Sequence, residues 1–180
     1  MMGRTLLLAL WLGLIGYVPS AGASFLSAEL TVNGLTCPFC AFGIEKKLLD
    51  VPGVREVDVF LDEGRIALTF QPGSEATVND LEQAVAKAGF ELEALSLESS
   101  GEIQRGQGLH LVSHPGMTFR LFETLDGRQI SLSEETLQHL YEIKLPTGAI
   151  VVVEGIVTDR DSSEPSLVIR RIESARGSGE

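Results

Sequence analysis

The 180-residue sequence predicts an α+β protein, with a βαββαβ unit followed by a small, mainly β unit. In the first half, segments with apolar residues at every second position alternate with segments whose apolar residues recur at helical spacing. In the second half, short β-branched segments are separated by turn residues. With 44% hydrophobic and 22% charged residues, the composition is typical of a globular protein.

Each element of the first unit has its own pattern. Strands are predicted at residues 28–33, 54–60, 65–70 and 90–97. A helix that begins near Ala41 follows the first strand, and a second helix, capped by Thr77 and Asp80, precedes the last one. Their apolar positions are Phe42, Ile44, Leu48 and Leu49 in the first helix and Val78, Leu81, Val85 and Ala88 in the second. This order predicts a ferredoxin-like fold, with one antiparallel sheet and both helices on one face.

The second unit is predicted from the order of its segments. Residues 98–108 contain Ser-Ser-Gly and Gly-Gln-Gly, a composition typical of a linker. Strands follow at 109–112, 117–123, 129–132, 149–157 and 166–172, with a short helix at 134–140. Three strands, a helix and two strands predict a small OB-like barrel. The predicted domains are therefore residues 24–97 and 109–175, and 176–180 form a tail.

The first 23 residues have the pattern of a secretory signal peptide. Arg4 precedes a short apolar run, and Ala21-Gly22-Ala23 offers a cleavage site after Ala23. An uncleaved membrane anchor is the alternative, but the run is shorter than the roughly 20 apolar residues that cross a bilayer. We therefore expect an exported protein, periplasmic in a Gram-negative source, with no membrane insertion after cleavage.

The formal net charge of −11 limits the range of partners. The acidic residues are spread along the chain, and no Lys/Arg cluster could neutralise a row of phosphates. A nucleic-acid partner is therefore not expected.

The clearest indication of function in the sequence is a pair of cysteines. Cys37 and Cys40 are the only cysteines, and they stand in Gly-Leu-Thr-Cys-Pro-Phe-Cys between a strand and a helix. Thiolates at this spacing can converge on one soft ion, and two sulfurs suit Cu(I) or Hg(II) better than Zn(II), which prefers four ligands. The start of the helix beside Cys40 should also lower thiol pKa values.

These residues resemble the heavy-metal-associated domain family, which includes copper chaperones, modules of metal-pumping ATPases and periplasmic mercuric-ion binding protein. The family signature Gly-Met-Thr-Cys-x-x-Cys matches residues 34–40, with Leu35 in place of the methionine that packs beneath the loop. Two further turns of the family are matched by Val51-Pro52-Gly53-Val54 and Lys87-Ala88-Gly89-Phe90. In the second turn, Phe90 takes the place of an aromatic residue that lies over the metal loop in bacterial members of the family. The resemblance over residues 28–97 implies a carrier that exchanges its ion, thiolate for thiolate, with a donor or acceptor protein such as a transporter or P-type ATPase.

Other functions stay open at this point. Cys-Pro-Phe-Cys also resembles the glutaredoxin active site, although the Thr-Val-Pro and glycine pair of that family do not appear in the sequence. A structural adaptor with an incidental disulfide is a third class. A second copper site could be formed by His110, His114 and Met117, or these side chains could pack in the interior of the second unit. His139 is predicted to be a surface residue. We find no nucleophile–base pattern, so catalysis is not expected.

Overall fold

The computed structural model describes residues 24–106, 108–114, 116–132 and 150–174. The predicted signal peptide, the predicted helix at 134–140, His139 and the tail lie outside the described residues. In the described ranges the elements are β1 (Phe25–Val32), α1 (Pro38–Leu49), β2 (Val54–Phe60), β3 (Arg65–Phe70), α2 (Val78–Lys87), β4 (Leu92–Gly106), β5 (Gly108–His114), β6 (Met117–Leu125), β7 (Arg128–Ile130), β8 (Ile150–Thr158) and β9 (Ser166–Ser174).

The first half has the predicted ferredoxin-like arrangement. Its strands lie in the order β2-β3-β1-β4, and each neighbouring pair is antiparallel. Both helices contact each other and the sheet, so they cover the same face. The core between the layers is formed by fully buried side chains, among them Leu30, Ile66, Leu95, Ile44, Leu48, Leu81 and Val85.

The two helices begin for local chemical reasons. The amide of Asp80 donates to Thr77 Oγ1 at 3.2 Å, and the amide of Thr77 donates to Asp80 Oδ2 at 3.0 Å, so the predicted capping box of α2 is present. Helix α1 begins at Pro38, three residues earlier than expected near Ala41. Proline fits this position because the N–H that it lacks would have no helical partner.

The apolar face predicted for α1 is partly wrong. Ile44 and Leu48 are fully buried, but Phe42 and Leu49 are 69% and 45% exposed. Residues two positions apart on a helix point about 200° apart, so Phe42 and Ile44 cannot share one face. Phe42 and Leu49, seven residues apart, instead share the opposite face.

In the second half, five strands close into a barrel. Their order is β4-β5-β6-β9-β8, and β8 pairs with β4 to complete the circle. β6 and β9 run parallel, whereas the other neighbours in the barrel are antiparallel. Gly101 allows β4 and β5 to approach closely, because a Cβ at this position would lie 2.5 Å from the carbonyl oxygen of Val112. The barrel confirms the β character predicted for this half, and its OB-like identity stays a prediction.

The linker expected at residues 98–108 is wrong, because β4 continues through residue 106. One part of this strand pairs with β1 and β8, and the rest pairs with β5. The small polar residues that suggested a linker are buried and hydrogen-bonded. Ser99 Oγ lies 2.7 Å from Ser113 Oγ, and Ser100 Oγ donates to the carbonyl oxygen of Ser24 at 3.1 Å.

Further contacts join the barrel to the first half. Phe25 is 0% exposed, and its ring centroid lies 5.6 Å from that of Phe70 on β3 and 6.1 Å from that of Phe119 on β6. Arg160, after β8, donates to Glu82 Oε1 on α2 at 2.7 Å and to the carbonyl oxygen of Leu92 at 2.9 Å. A single hydrophobic cluster therefore runs through both halves of the described chain.

Candidate metal centre

The Cys-containing motif forms a tight loop between β1 and α1. Gly34 turns the chain with a φ of 76°, a region that glycine enters without a Cβ clash. The amide of Thr36 then donates to the carbonyl oxygen of Gly34 at 3.0 Å. Leu35 is 1% exposed and attaches the loop to the core. This is the packing role that the family resemblance implies for its position.

Both predicted ligands lie at the start of α1. Cys37 is the N-cap residue, and Cys40 lies in the first helical turn. The amide of Ala41 donates to the carbonyl oxygen of Cys37 at 3.0 Å, so this residue is tied to the helix. Neither thiol is in a disulfide, and both are half-buried. The structure therefore brings the two predicted sulfur ligands together at a solvent-accessible helix end.

The two thiols differ in acidity. The Cys40 S–H donates to the sulfur of Cys37, which lowers the pKa of the Cys37 thiol and raises the pKa of the Cys40 thiol. The backbone N–H groups of Cys40 and Phe39 lower the pKa of Cys37 further. Because the Cys37 side chain forms no capping hydrogen bond, we attribute this effect to longer-range attraction by these amides.

The expectation that the helix start acidifies the thiol beside it applies to Cys37 rather than to Cys40. Desolvation and the negative charge of a Cys37 thiolate both add to the raised pKa of Cys40. The first thiolate therefore forms on Cys37. A pair with one early thiolate and one neighbouring thiol is suited to capture a soft cation in two steps.

Two exposed aromatic side chains stand beside the thiols. Phe39, between the cysteines, is 89% exposed, and Phe42 is 69% exposed. Phe42 was predicted to lie on the apolar, core-facing side of the first helix. The signal that could have revealed this face is the Phe42–Leu49 spacing of two helical turns, opposite Ile44 and Leu48.

The described residues supply no larger ligand set. Within ranges 24–106, 108–114, 116–132 and 150–174, no group of three or more His, Cys, Asp or Glu side chains could hold a metal ion. The Cys37–Cys40 pair therefore offers two protein sulfurs and no third such ligand from the described residues. This donor set fits ions that accept two-coordinate thiolate binding.

The histidines proposed for a second copper site have other surroundings. His114 is 6% exposed, its Nε2 lies 3.0 Å from the carbonyl oxygen of Ala76, and its ring packs edge-on against Phe25. Met117 is 5% exposed and belongs to the hydrophobic core. His110 lies on β5 with its ring beside Gly106. These contacts support the packing alternative for His114 and Met117.

The two other turns that match the family signature each follow a helix. Val51-Pro52-Gly53 forms the turn from α1 to β2, closed by a 3.1 Å hydrogen bond from the amide of Val54 to the carbonyl oxygen of Val51. Phe90 follows α2, is half-buried and packs against the core. A ferredoxin-like fold with a dithiol loop before α1 defines a class of small metal-binding domain.

Comparison with known proteins identifies that class. Residues 29–91 match the heavy-metal-associated domain. The mercuric transport protein periplasmic component of Shigella flexneri is 34% identical over 79 residues, which cover 44% of this chain and 86% of that protein. The chain therefore belongs to the heavy-metal-associated domain family.

Two further relatives show how differently the domain is used. The COP-associated protein of Helicobacter felis is 33% identical over 64 residues, which cover 36% of this chain and 94% of that protein. The copper-exporting P-type ATPase of Bacillus subtilis is 38% identical over 65 residues, which cover 36% of this chain but 8% of the ATPase. The chain thus spans a small part of the ATPase and most of the length of the two small relatives. None of these three matches extends over more than 44% of the chain.

Proposed function

We propose that this chain carries Cu(I) or Hg(II) as cargo, bound between Cys37 and Cys40. The observation that carries the proposal is the pair of free thiols at the start of α1, where the pKa of Cys37 is lowered by its neighbour and by backbone amides. The relatives described as mercuric and copper transport proteins support the same ions. Because a two-sulfur donor set leaves a four-ligand ion incompletely coordinated, Zn(II) is the weaker candidate.

The proposed transfer proceeds by thiolate exchange. A thiolate of the partner forms a bond to the ion while both cysteines still hold it, and a bond to one cysteine then breaks. A second thiolate of the partner displaces the other cysteine in the same way, which completes the transfer. The released cysteine takes up a proton or stays a thiolate, and the ion never enters water as a free species. No oxidation or reduction is needed, because sulfur ligands are exchanged at constant metal charge. Half-exposed thiols at a helix end leave room for the incoming sulfur.

The proposed setting is outside the cytoplasm. The signal-peptide pattern of residues 1–23 and the periplasmic relative both support an exported, periplasmic protein. Among the described residues, no helix combines the length and the apolar character needed to cross a bilayer. The proposed partners are a metal-donating and a metal-accepting protein, for which a transporter or a P-type ATPase is suited. We also propose that the barrel is OB-like, which its five strands in Greek-key order support.

A metal titration tests the proposed site. We expect the reduced chain to bind one Cu(I) or Hg(II), measured by competition with a chromophoric chelator, because it offers one two-thiolate site. Cys37→Ser and Cys40→Ser should each remove most of the affinity, since a serine hydroxyl is a poor ligand for soft ions. Lys46→Ser, on the exposed surface of the same helix, is the matched control and should bind normally. Unchanged uptake by the double serine variant would exclude the site.

A thiol–disulfide oxidoreductase is the second candidate, because the lowered pKa of Cys37 beside a second thiol is also a property of redox-active pairs. We propose that the chain is not such an enzyme, since the sequence lacks the Thr-Val-Pro element that the glutaredoxin resemblance requires. Reduction of a glutathione mixed disulfide should therefore proceed near the uncatalysed rate. Rapid turnover that Cys37→Ser abolishes would make the chain an oxidoreductase.

A further inference from the structure

The outer side of α1 concentrates the exposed apolar side chains of the protein. Among the described residues, five large hydrophobic side chains are exposed, and three of them, Phe39, Phe42 and Leu49, lie on this helix. The other two, Leu26 and Phe60, lie on β1 and β2 and are only 36% and 38% exposed. Exposed apolar side chains that are grouped rather than scattered mark interaction surfaces.

Helical spacing joins these side chains into one stripe. Phe42 lies three residues after Phe39 and seven residues before Leu49, so all three point to the same side of α1. Two further exposed residues, Gly43 and Lys46, lie within the stripe. A Cβ at residue 43 would meet no atom within 4 Å, so the helix backbone is open to close approach there. We call these five residues the α1 face.

The α1 face begins at the thiols. Phe39 stands between Cys37 and Cys40 in the sequence and is the most exposed of the three apolar side chains. Exchange of an ion between thiolates requires the incoming sulfur to reach a bonding distance of about 2.3 Å from the ion. A protein that exchanges the ion must therefore contact this loop, and Phe39 lies within that contact. This step rests on the proposed carrier function.

Charge does not explain what the α1 face attracts. Residues 38–50 contain two lysines and two acidic residues, so their formal charges cancel, although the whole chain has a formal net charge of −11. Lys47 Nζ also lies 4.0 Å from Asp50 Oδ2, so this lysine has an acidic neighbour on its own chain. A surface that is locally neutral and apolar fits a partner surface that is apolar as well.

The size of the α1 face favours a transient partner. A helix of 12 residues is about 18 Å long, and one side of it covers only part of the ~800 Å² that each partner buries in a stable complex. A carrier has to release its partner after each transfer, so a small contact suits the proposed function better than a large one.

We propose that the α1 face is the docking surface for an ion-exchanging protein whose own thiol is surrounded by apolar side chains. Apolar side chains of that protein contact Phe42 and Leu49, and its sulfur reaches the ion beside Phe39. A second copy of this chain has the same chemistry, because it presents a dithiol next to an apolar helix face, and it therefore serves as the probe.

Self-exchange of Hg(II) between two copies tests the docking surface. In an isotopically labelled sample that is half loaded with Hg(II), NMR exchange measurements on the amides of Cys37 and Cys40 give the second-order rate constant. Substituting both Phe42→Ser and Leu49→Ser in all copies should lower this rate constant at least about tenfold. Added salt should not slow self-exchange, because salt screens the repulsion between two acidic chains and leaves apolar contacts intact.

Dithiothreitol is the second acceptor, because it is too small to contact Phe42 and Leu49 while it attacks the ion. Its removal of Hg(II) should proceed at the same rate from the double variant as from the unchanged chain. Phe60→Ser is the matched control, since Phe60 is an exposed aromatic residue on β2, and it should leave self-exchange unchanged.

Several results would overturn the proposal. They are an unchanged self-exchange rate in the double variant, an equal loss of transfer to dithiothreitol, slowing of self-exchange by salt, and no self-exchange although dithiothreitol removes the ion. A stable dimer of the metal-free chain in sedimentation would assign the α1 face to self-association instead. Binding to phosphatidylcholine vesicles that the double variant loses would assign it to a membrane. Failure of the unchanged chain to take up Hg(II) is a separate result, which would refute the carrier function itself.

Discussion

At the scale of single residues, the two sulfur atoms of the motif differ although they are three positions apart. Cys37 accepts a hydrogen bond and faces backbone N–H groups, so its pKa is lowered, whereas Cys40 donates and its pKa is raised. Their spacing in the sequence predicts that both are metal ligands. It could not predict which thiol ionises first, because this depends on the direction of a hydrogen bond between two identical groups.

This asymmetry predicts a pH-dependent order of alkylation. Since the thiolate is the nucleophile, iodoacetamide should modify Cys37 before Cys40 at neutral pH. The difference should narrow as the pH rises past the ordinary thiol pKa of ~8.5, because Cys40 then also ionises. Mass spectrometry of peptides after short reaction times measures both rates.

Two variants test why Cys37 should be alkylated before Cys40. Cys40→Ala removes the S–H donor, so the pKa of Cys37 should rise and its alkylation at neutral pH should slow. Cys40→Ser keeps a hydroxyl donor and should slow the reaction less. Preferential modification of Cys40 in the unchanged chain, or equal effects of the two variants, would contradict the assignment.

At the scale of secondary-structure elements, periodicity predicted the order of the first half well. Alternating burial in β3 and the capping box of α2 are local properties, which a single sequence records directly. β4 was divided in error because its middle is rich in serine and glycine. In this strand Ser99 forms a hydrogen bond to a residue 14 positions away, and Ser100 forms one to a residue 76 positions away. Gly101 is suited to the strand because the backbone of Val112 comes close to it. Such partners are not visible in the local pattern.

The close approach at Gly101 predicts a strong effect of a small substitution. A Cβ there would lie 2.5 Å from the carbonyl oxygen of Val112, so Gly101→Ala forces backbone to move. We expect the free energy of unfolding to fall by about 1–3 kcal/mol in urea titrations, as for other overpacked sites.

Gly43→Ala is the matched control for this substitution. Gly43 lies within α1, and a Cβ there meets no atom within 4 Å. Alanine should therefore raise the free energy of unfolding by roughly 0.5–1 kcal/mol through helix propensity. If Gly101→Ala left the free energy of unfolding unchanged, β4 and β5 would be shown to move apart at this point without loss of stability.

At the scale of the whole molecule, the two halves share a strand and a hydrophobic cluster. Phe25 connects them, since its ring contacts Phe70 in the sheet and Phe119 in the barrel. The sequence predicted two units from a change in composition, and it could not reveal that residues of the first strand pack against both.

The shared core predicts that one substitution weakens both halves together. Phe25→Ala removes a fully buried ring and should lower the free energy of unfolding by about 3–5 kcal/mol. Amide hydrogen exchange should show lost protection in β3 and in β6 alike. Phe42→Ala, which truncates a 69% exposed ring, is the matched control and should change stability little. Loss of protection in one half alone would indicate that the two unfold separately.

The pairing of β4 with β8 also affects how the molecule avoids self-association. In a four-stranded sheet of order β2-β3-β1-β4, the outer side of β4 would present unpaired backbone groups on which another chain could assemble. Here the barrel occupies that side over residues 96–102. At the other end of the sheet, β2 carries the exposed charges of Arg55, Glu56 and Asp58, which oppose strand addition. The barrel thus covers a strand edge that would otherwise be open to pairing with a second chain.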